Sequence, residues 1–259
     1  MFHLEEAVSE QKVALVTGSG KRRVGARVAE ALAARGYALA VHYRSSAAEA
    51  QETAARLTAQ FGVPAVPVQA DLAVEAAVKR MVAAVLARFG RIDALVNCAA
   101  IWNRKRLEDV TAADVREHLD ANLLGTFLMC QHVGLAMVKQ PGGGCIVNVG
   151  DWADVRPYRD YAAYFPSKAA IPGLTRVFAV ELGTRNPNVR VNAVLPGPVM
   201  LPPELSEEEK EVVVAGTLVN REGSPAHVAA AVLHFLDNDF VTGTCLPVDG
   251  GRSVFANGF

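Results

Sequence analysis

A chain of 259 residues, 51% hydrophobic and 20% charged, has a globular balance and is long enough for one large α/β domain or two small ones. Its 26 basic and 27 acidic residues leave a formal charge of −1. That excludes the basic surplus with which a nucleic-acid scaffold releases counterions, and it gives no reason for tight binding to an anionic membrane. Cys98, Cys130, Cys145 and Cys245 form no C-x-x-C pair and read as reduced, cytosolic thiols. The opening MFHLEEAVSE has acids and no apolar stretch, so no secretory signal is expected. No charge-free apolar run reaches the roughly 18 residues of a spanning helix, and a cytoplasmic chain is expected.

Short Val- and Ile-rich runs alternate with longer Ala-rich amphipathic stretches. In chain order the predicted strands are Lys12–Thr17, Tyr37–Tyr43, Val63–Gln69, Ala94–Asn97, Gly144–Val149, Val189–Leu195 and Thr244–Val248. They are near-continuous apolar runs, the pattern of parallel strands covered on both faces. Helices are predicted over Val24–Arg35, Ala47–Phe61, Val74–Phe89, Thr111–Val138, Tyr161–Thr184 and Ala226–Asp237, the last preceded by Ser224 as N-cap and Pro225 as first residue. Such alternation implies one doubly wound parallel sheet with right-handed crossovers and helices on both faces. No linker divides the chain, so a single domain is expected over 1–259. The Pro-rich and then acidic stretch at about 196–223 follows strand six, where ligands bind in open α/β sheets. It reads as a mobile substrate lid or as a surface helix with an idle loop.

After strand one comes Thr17-Gly18-Ser19-Gly20-Lys21-Arg22-Arg23-Val24-Gly25 and then a helix. Glycines there let backbone N–H groups approach a phosphate, and the helix start adds free donors. A reader of the ribose 2′-hydroxyl would be an acid about 20 residues on. Strand two ends instead in His42-Tyr43-Arg44-Ser45, with no acid before Glu49. Arg44 and Ser45 with Arg23 suit a 2′-phosphate through charge-assisted hydrogen bonds, so NADP(H) is expected rather than NAD(H).

Tyr164-Phe165-Pro166-Ser167-Lys168 puts a phenol and an ammonium at i and i+4, on one helical face. A phenol with its ordinary pKa of about 10 is a poor acid–base group at neutral pH, and a nearby ammonium is expected to lower it. Pro172 removes a hydrogen bond to the carbonyl of Lys168 and predicts a bend there.

With those residues in view, the chain resembles the short-chain dehydrogenase/reductase family over almost its whole length. The matching segments are Thr17–Gly25, Asp71-Leu72, Asn97-Cys98-Ala99-Ala100, Asn122, Tyr164…Lys168, Pro196-Gly197 and Val248-Asp249-Gly250-Gly251. The resemblance implies a Rossmann-type fold and an NADP(H)-dependent oxidoreductase acting on a small molecule. Its implied catalytic residues are Asn122, Asp151, Tyr164 and Lys168. Tyr164 would be the proton donor, Lys168 would bind the nicotinamide ribose, and Asn122 would hold a relay water. Its cofactor residues would be Gly18, Arg23, Val24, Gly25, Tyr43, Arg44, Ser45, Asp71, Leu72, Asn97, Ala99, Tyr164, Lys168, Pro196, Gly197 and Val199.

One departure decides the substrate expectation. Most of the family has a serine that donates to the substrate carbonyl where this chain has Asp151. An ionised carboxylate cannot donate, and at about 4 Å it would repel a developing alkoxide by about 4 kcal/mol, about a thousandfold in rate. A substrate whose reduced atom adjoins a ring nitrogen would instead gain from an acid there. In this the chain looks like the pteridine and dihydropteridine reductase branch, which has Asp at this position. His42–Ala50 and the basic glycine loop are also close to that branch, and Trp102 falls where its members stack a phenylalanine on the pterin. Against it, the glycine loop is one residue longer, and Ala100 and Cys98 replace a serine and an asparagine. The reading is reduction of a pteridine-like ring, with Trp102, Asp151 and Tyr164 touching substrate. The alternatives are a carbonyl or 3-oxoacyl reductase of the same family and a non-catalytic NADP(H)-binding regulator.

His3, His42, His118, His132, His227 and His234 make no ligand cluster, so no metal is expected. The apolar stripe of Val115–Val138 reads as core; by resemblance the equivalent helix forms a subunit interface, and a homotetramer is the default. The tail Phe255…Phe259 is expected to pack on a neighbouring subunit or to fray.

Overall fold

Seven parallel strands form one sheet in the order β3-β2-β1-β4-β5-β6-β7: β1 Val13–Thr17, β2 Ala38–Tyr43, β3 Ala65–Gln69, β4 Ala94–Asn97, β5 Gly144–Val149, β6 Val189–Pro196 and β7 Cys245–Val248. The computed structural model describes residues 11–255, so the expectations placed on the opening decapeptide, on His3 and on 256–259 lie outside the described residues. Strand order reverses between β1 and β4, and the carboxyl ends of all seven strands share one edge of the sheet. A crevice at that reversal is where an open α/β sheet binds ligands.

The strand sequences are apolar throughout because both faces are covered. Leu15, Leu95, Ile146 and Val191 point into one core with α3 (Glu75–Phe89), α5 (Gly125–Val138) and α7 (Ile171–Gly183). From the same strands Ala14, Val96, Val147 and Val194 point into the other, with α1 (Val24–Ala33), α2 (Ala47–Phe61) and α9 (Pro225–Asp237). The edge strands correct the expectation of burial on both faces: β3 and β7 are only partly buried. Pro67 and Pro247 sit in these two strands, where a missing N–H costs no ladder bond on the open side.

Three helical predictions needed the third dimension. The segment read as one helix over Thr111–Val138 begins with a capping box, Thr111 N–H donating to Asp114 Oδ2 at 2.7 Å. It then runs as α4 (Ala112–His118), a π-helical stretch (Leu119–Leu124) and α5. The 27 residues Ala112–Val138 are long and apolar enough to cross a membrane, but half of the most apolar window is buried inside the protein. The helix expected over Tyr161–Thr184 is interrupted at Ala170, giving α6 (Phe165–Ala169) and α7, with Pro172 in the first turn of α7, where its missing N–H costs no helical bond. Residues 161–164 form a turn ahead of it, not its first helical turn. The stretch after β6 contains a capped helix, α8 (Glu207–Ala215), and is fastened by Gly223 N–H to Pro198 O at 2.9 Å and Val219 N–H to Gly250 O at 3.3 Å.

Candidate active site

A cavity of about 490 Å³ runs along the carboxyl edge of the sheet, walled by the turns after β1 to β6. The turn after β1 is shaped by glycine for steric reasons. Gly18 has φ +64°, and a Cβ there would lie 2.9 Å from Ala99 Cα; a Cβ on Gly25 would meet Gly18 O at 2.7 Å. A side chain at either position would push the turn off Ala99 or off its own carbonyl at the start of α1. Arg23 caps α1 without a side-chain hydrogen bond and no acid stands in the first turn, which leaves donors and positive potential for an anion.

His42, to which sequence reasoning gave no role, holds this turn. Gly18 N–H donates to its Nδ1 at 3.1 Å, which fixes the tautomer, and Nε2–H then donates to Ala70 O at 3.1 Å. Its own carbonyl accepts from Ser19 N–H at 3.1 Å and Gly20 N–H at 3.3 Å. Burial pushes the imidazole down to about 4, so it stays neutral. The available signal was its place at the end of β2, beside the turn of the neighbouring strand.

Beyond this clamp, Tyr43, Arg44, Ser45 and Ser46 form one end of the cleft, opposite Asp71, Leu72 and Ala73. Arg44, Arg23 and Lys21 have no carboxylate partner among the described residues.

At the other end Tyr164 O–H donates to Asp151 Oδ2 at 2.7 Å, and Asp151 Oδ1 accepts from Ala153 N–H at 2.9 Å. Lys168, 5% exposed, donates from Nζ to Val149 O at 2.8 Å. Burial pushes the Asp151 carboxyl up; the bonds from Ala153 and Tyr164 and the Lys168 charge pull it back. Tyr164 is carried well above the usual phenol value by burial and by the adjoining Asp151. This corrects the expectation that Lys168 lowers the phenol: the nearer charge is negative, so Tyr164 is held as an acid. Burial in turn lowers Lys168, opposed by Asp151. Asp151 thus faces the cleft and the phenol rather than bulk solvent.

The chain matches the family profile described as enoyl-(acyl carrier protein) reductase over residues 19–253. It is 40% identical over 261 residues to the short-chain reductase protein NovJ of Streptomyces niveus, covering 96% of each chain. It is 35% identical to the 3-oxoacyl-[acyl-carrier-protein] reductase of Synechocystis sp., covering 94% of this chain and 98% of that one. This protein is a short-chain dehydrogenase/reductase. Among solved structures it is similar to acetoin dehydrogenase from Enterobacter cloacae, with a TM-score of 0.85, 32% identity and coverage of 97% and 99%.

Enzymes of this family use a nicotinamide dinucleotide, and the cleft fits one. It joins a basic, hydroxyl-bearing end at Arg44 and Ser45 to the Tyr164–Lys168 end through the uncapped start of α1. Of the residues expected at the site, sixteen line the cleft and three do not. Asn97 lies beneath it, donating to Asn148 Oδ1 at 2.9 Å, with its own buried Oδ1 unpartnered. Val199 turns into the core, and Met200 takes its place on the wall. Asn122, 1% exposed in the π-helical stretch, spends its side chain on the backbone of Ile101, accepting from N–H at 2.8 Å and donating to O at 3.0 Å, and on Ser167 Oγ at 3.0 Å. Both amide hydrogens of Asn122 are thus taken by the protein, and its side chain fixes the wall that carries Trp102. Lys21, Ser46, Cys98 and Ile101 also line the cleft.

Trp102 reaches the wall with one face covered, its ring stacked on Tyr161 at 4.8 Å and 8° between planes. The loops carrying the two rings are joined by Arg104 to Asp160 at 2.9 Å and by Lys105 N–H to Asp160 O at 2.8 Å. The Trp102 side chain is 41% exposed and borders the cleft.

Proposed function

We propose that this protein is an NADP(H)-dependent reductase of carbonyl compounds, of the 3-oxoacyl thioester kind. The observation that carries the reading is the Tyr164–Asp151 hydrogen bond at 2.7 Å beside Lys168 in the cleft. A carbonyl gaining a hydride at carbon needs a proton at oxygen, and the buried phenol is kept protonated to supply it. While Asp151 is ionised, that proton is engaged by the carboxylate. Once Asp151 is protonated its own O–H donates to the Tyr164 oxygen, and the phenol proton turns to the substrate. Burial, which raises the Asp151 carboxyl, favours that state. The relative named for 3-oxoacyl substrates supports the substrate class.

The cofactor supplies the hydride when bound. Gly18, Val24 and Gly25 would hold its pyrophosphate, Arg44 and Ser45 a 2′-phosphate, Asp71 and Leu72 the adenine, and Lys168 the nicotinamide ribose. The stretch 196–223, with Met200 on the cleft wall, would form the substrate side. Phe127 and Leu135 on α5 and Val177 on α7 stay exposed, which supports a homo-oligomer.

A second reading, reduction of a pteridine-like ring, is favoured by Asp151 itself, an acid placed to protonate a ring nitrogen, and by the uncovered face of Trp102. The test is NADPH oxidation by the purified protein with an acetoacetyl thioester and with dihydrobiopterin, in wild type and Asp151→Ser. The carbonyl reading expects thioester turnover that Asp151→Ser preserves or raises. Turnover of the pterin alone, abolished by Asp151→Ser, would overturn it in favour of the second.

A further inference from the structure

A second cavity, of about 370 Å³, adjoins the cleft and shares Arg23 and Met200 with it. Its wall is basic: Arg22, Arg23, Arg27 and Arg56 surround a single carboxylate, Glu30. Glu30 accepts from Arg27 at 2.8 Å and also pairs with Arg56, so one anion holds two guanidinium groups in place and leaves a surplus positive charge. Arg22 reaches outward to the exposed Glu52 at 3.0 Å, and Arg23 has no carboxylate partner among the described residues. The wall opposite is the start of α9, which lies against α1 and has no acid in its first turn. Planar guanidinium forks suit phosphate oxygens. Met200 stands on both walls, so a ligand reaching past it would have one end at Tyr164 and the other among the arginines.

We propose that this groove binds the phosphate ester of a phosphopantetheinyl thioester, the handle by which a carbonyl substrate is presented to the cleft. The inference rests on the carbonyl reading above. The same phosphate occurs in coenzyme A and in the prosthetic arm of a carrier protein.

The test is calorimetric titration of the full chain, saturated with NADP+ so that the cleft is filled, with phosphopantetheine, coenzyme A and pantetheine. Both phosphorylated ligands should bind and pantetheine should not. Arg27→Ala combined with Arg56→Ala should weaken phosphopantetheine binding by about tenfold or more while leaving NADPH affinity unchanged. Glu30→Gln, which keeps both arginines, should tighten it. Coenzyme A binding without phosphopantetheine binding would place the affinity on the nucleotide and overturn the proposal, as would equal binding of pantetheine or indifference to all three substitutions. Failure of the carbonyl reading looks different: phosphopantetheine still binds, but no thioester is reduced.

Discussion

Asp151→Asn removes one negative charge while keeping the shape of the side chain. The amide oxygen can still accept from Ala153 N–H, the bond now made at 2.9 Å, so the local turn and the melting temperature should hardly change. The amide nitrogen can donate to the Tyr164 oxygen, 2.7 Å from the present carboxylate, and release the phenol proton toward the substrate. A carboxylate with its charge about 4 Å from a developing alkoxide costs about 4 kcal/mol at an effective dielectric near 20. That bounds the gain in kcat/KM on a ketone at about a thousandfold above neutral pH. The wild type should be fastest in acid. Its competent form carries a protonated Asp151, whose pKa is raised above the ordinary value, so rate is lost as pH rises through that raised pKa. The assay is NADPH oxidation with an acetoacetyl thioester across the pH range in which the protein stays folded. Asp151→Asn should flatten the acid limb and exceed wild type at alkaline pH. A variant slower than wild type at every pH would show that the carboxylate is used rather than tolerated, and the electrostatic reasoning would be wrong.

His42 is held at about 4 in the folded state against about 6.5 unfolded, so the unfolded chain binds the extra proton between those values and stability falls with acidity. Urea unfolding should show about 2 kcal/mol lost between about pH 7 and about pH 5, a slope that His42→Gln should remove while raising the KM for NADPH more than it lowers kcat. Arg44→Ala should weaken NADPH by about tenfold or more and leave NADH nearly unaffected; equal losses for both would refute a 2′-phosphate contact. Asn122→Ala leaves both Ile101 backbone groups without their side-chain partner and should cost about 3 kcal/mol in chemical denaturation. Gly18→Ala, with a Cβ 2.9 Å from Ala99 Cα and a positive φ, should abolish dinucleotide binding in a titration before it unfolds the chain.

The strands were legible because each announces itself locally. All seven lie within two residues of their predicted ends, since an apolar run between turn residues depends only on its neighbours in the chain. The glycine turn, the Arg44–Ser45 end and the Tyr164–Lys168 pair were legible for the same reason. The π-helical stretch at Leu119–Leu124 was not, because its residues have ordinary helical composition and the widened turn is paired with the Asn122–Ile101 contact across the fold. Asn97 and Val199 were misplaced because a residue next to a cleft in sequence can point below it.

By itself the sequence determined the sheet, its crossovers and the neighbourhood of the site, because periodicity, glycine and proline act through the nearest turns of backbone. Only the tertiary structure decided that Asp151 holds the Tyr164 proton, that His42 pins the glycine turn, and that four arginines share one groove. Hydrogen-bond direction, burial and charge separation depend on distances between residues far apart in the chain, and those distances exist only once the chain has folded.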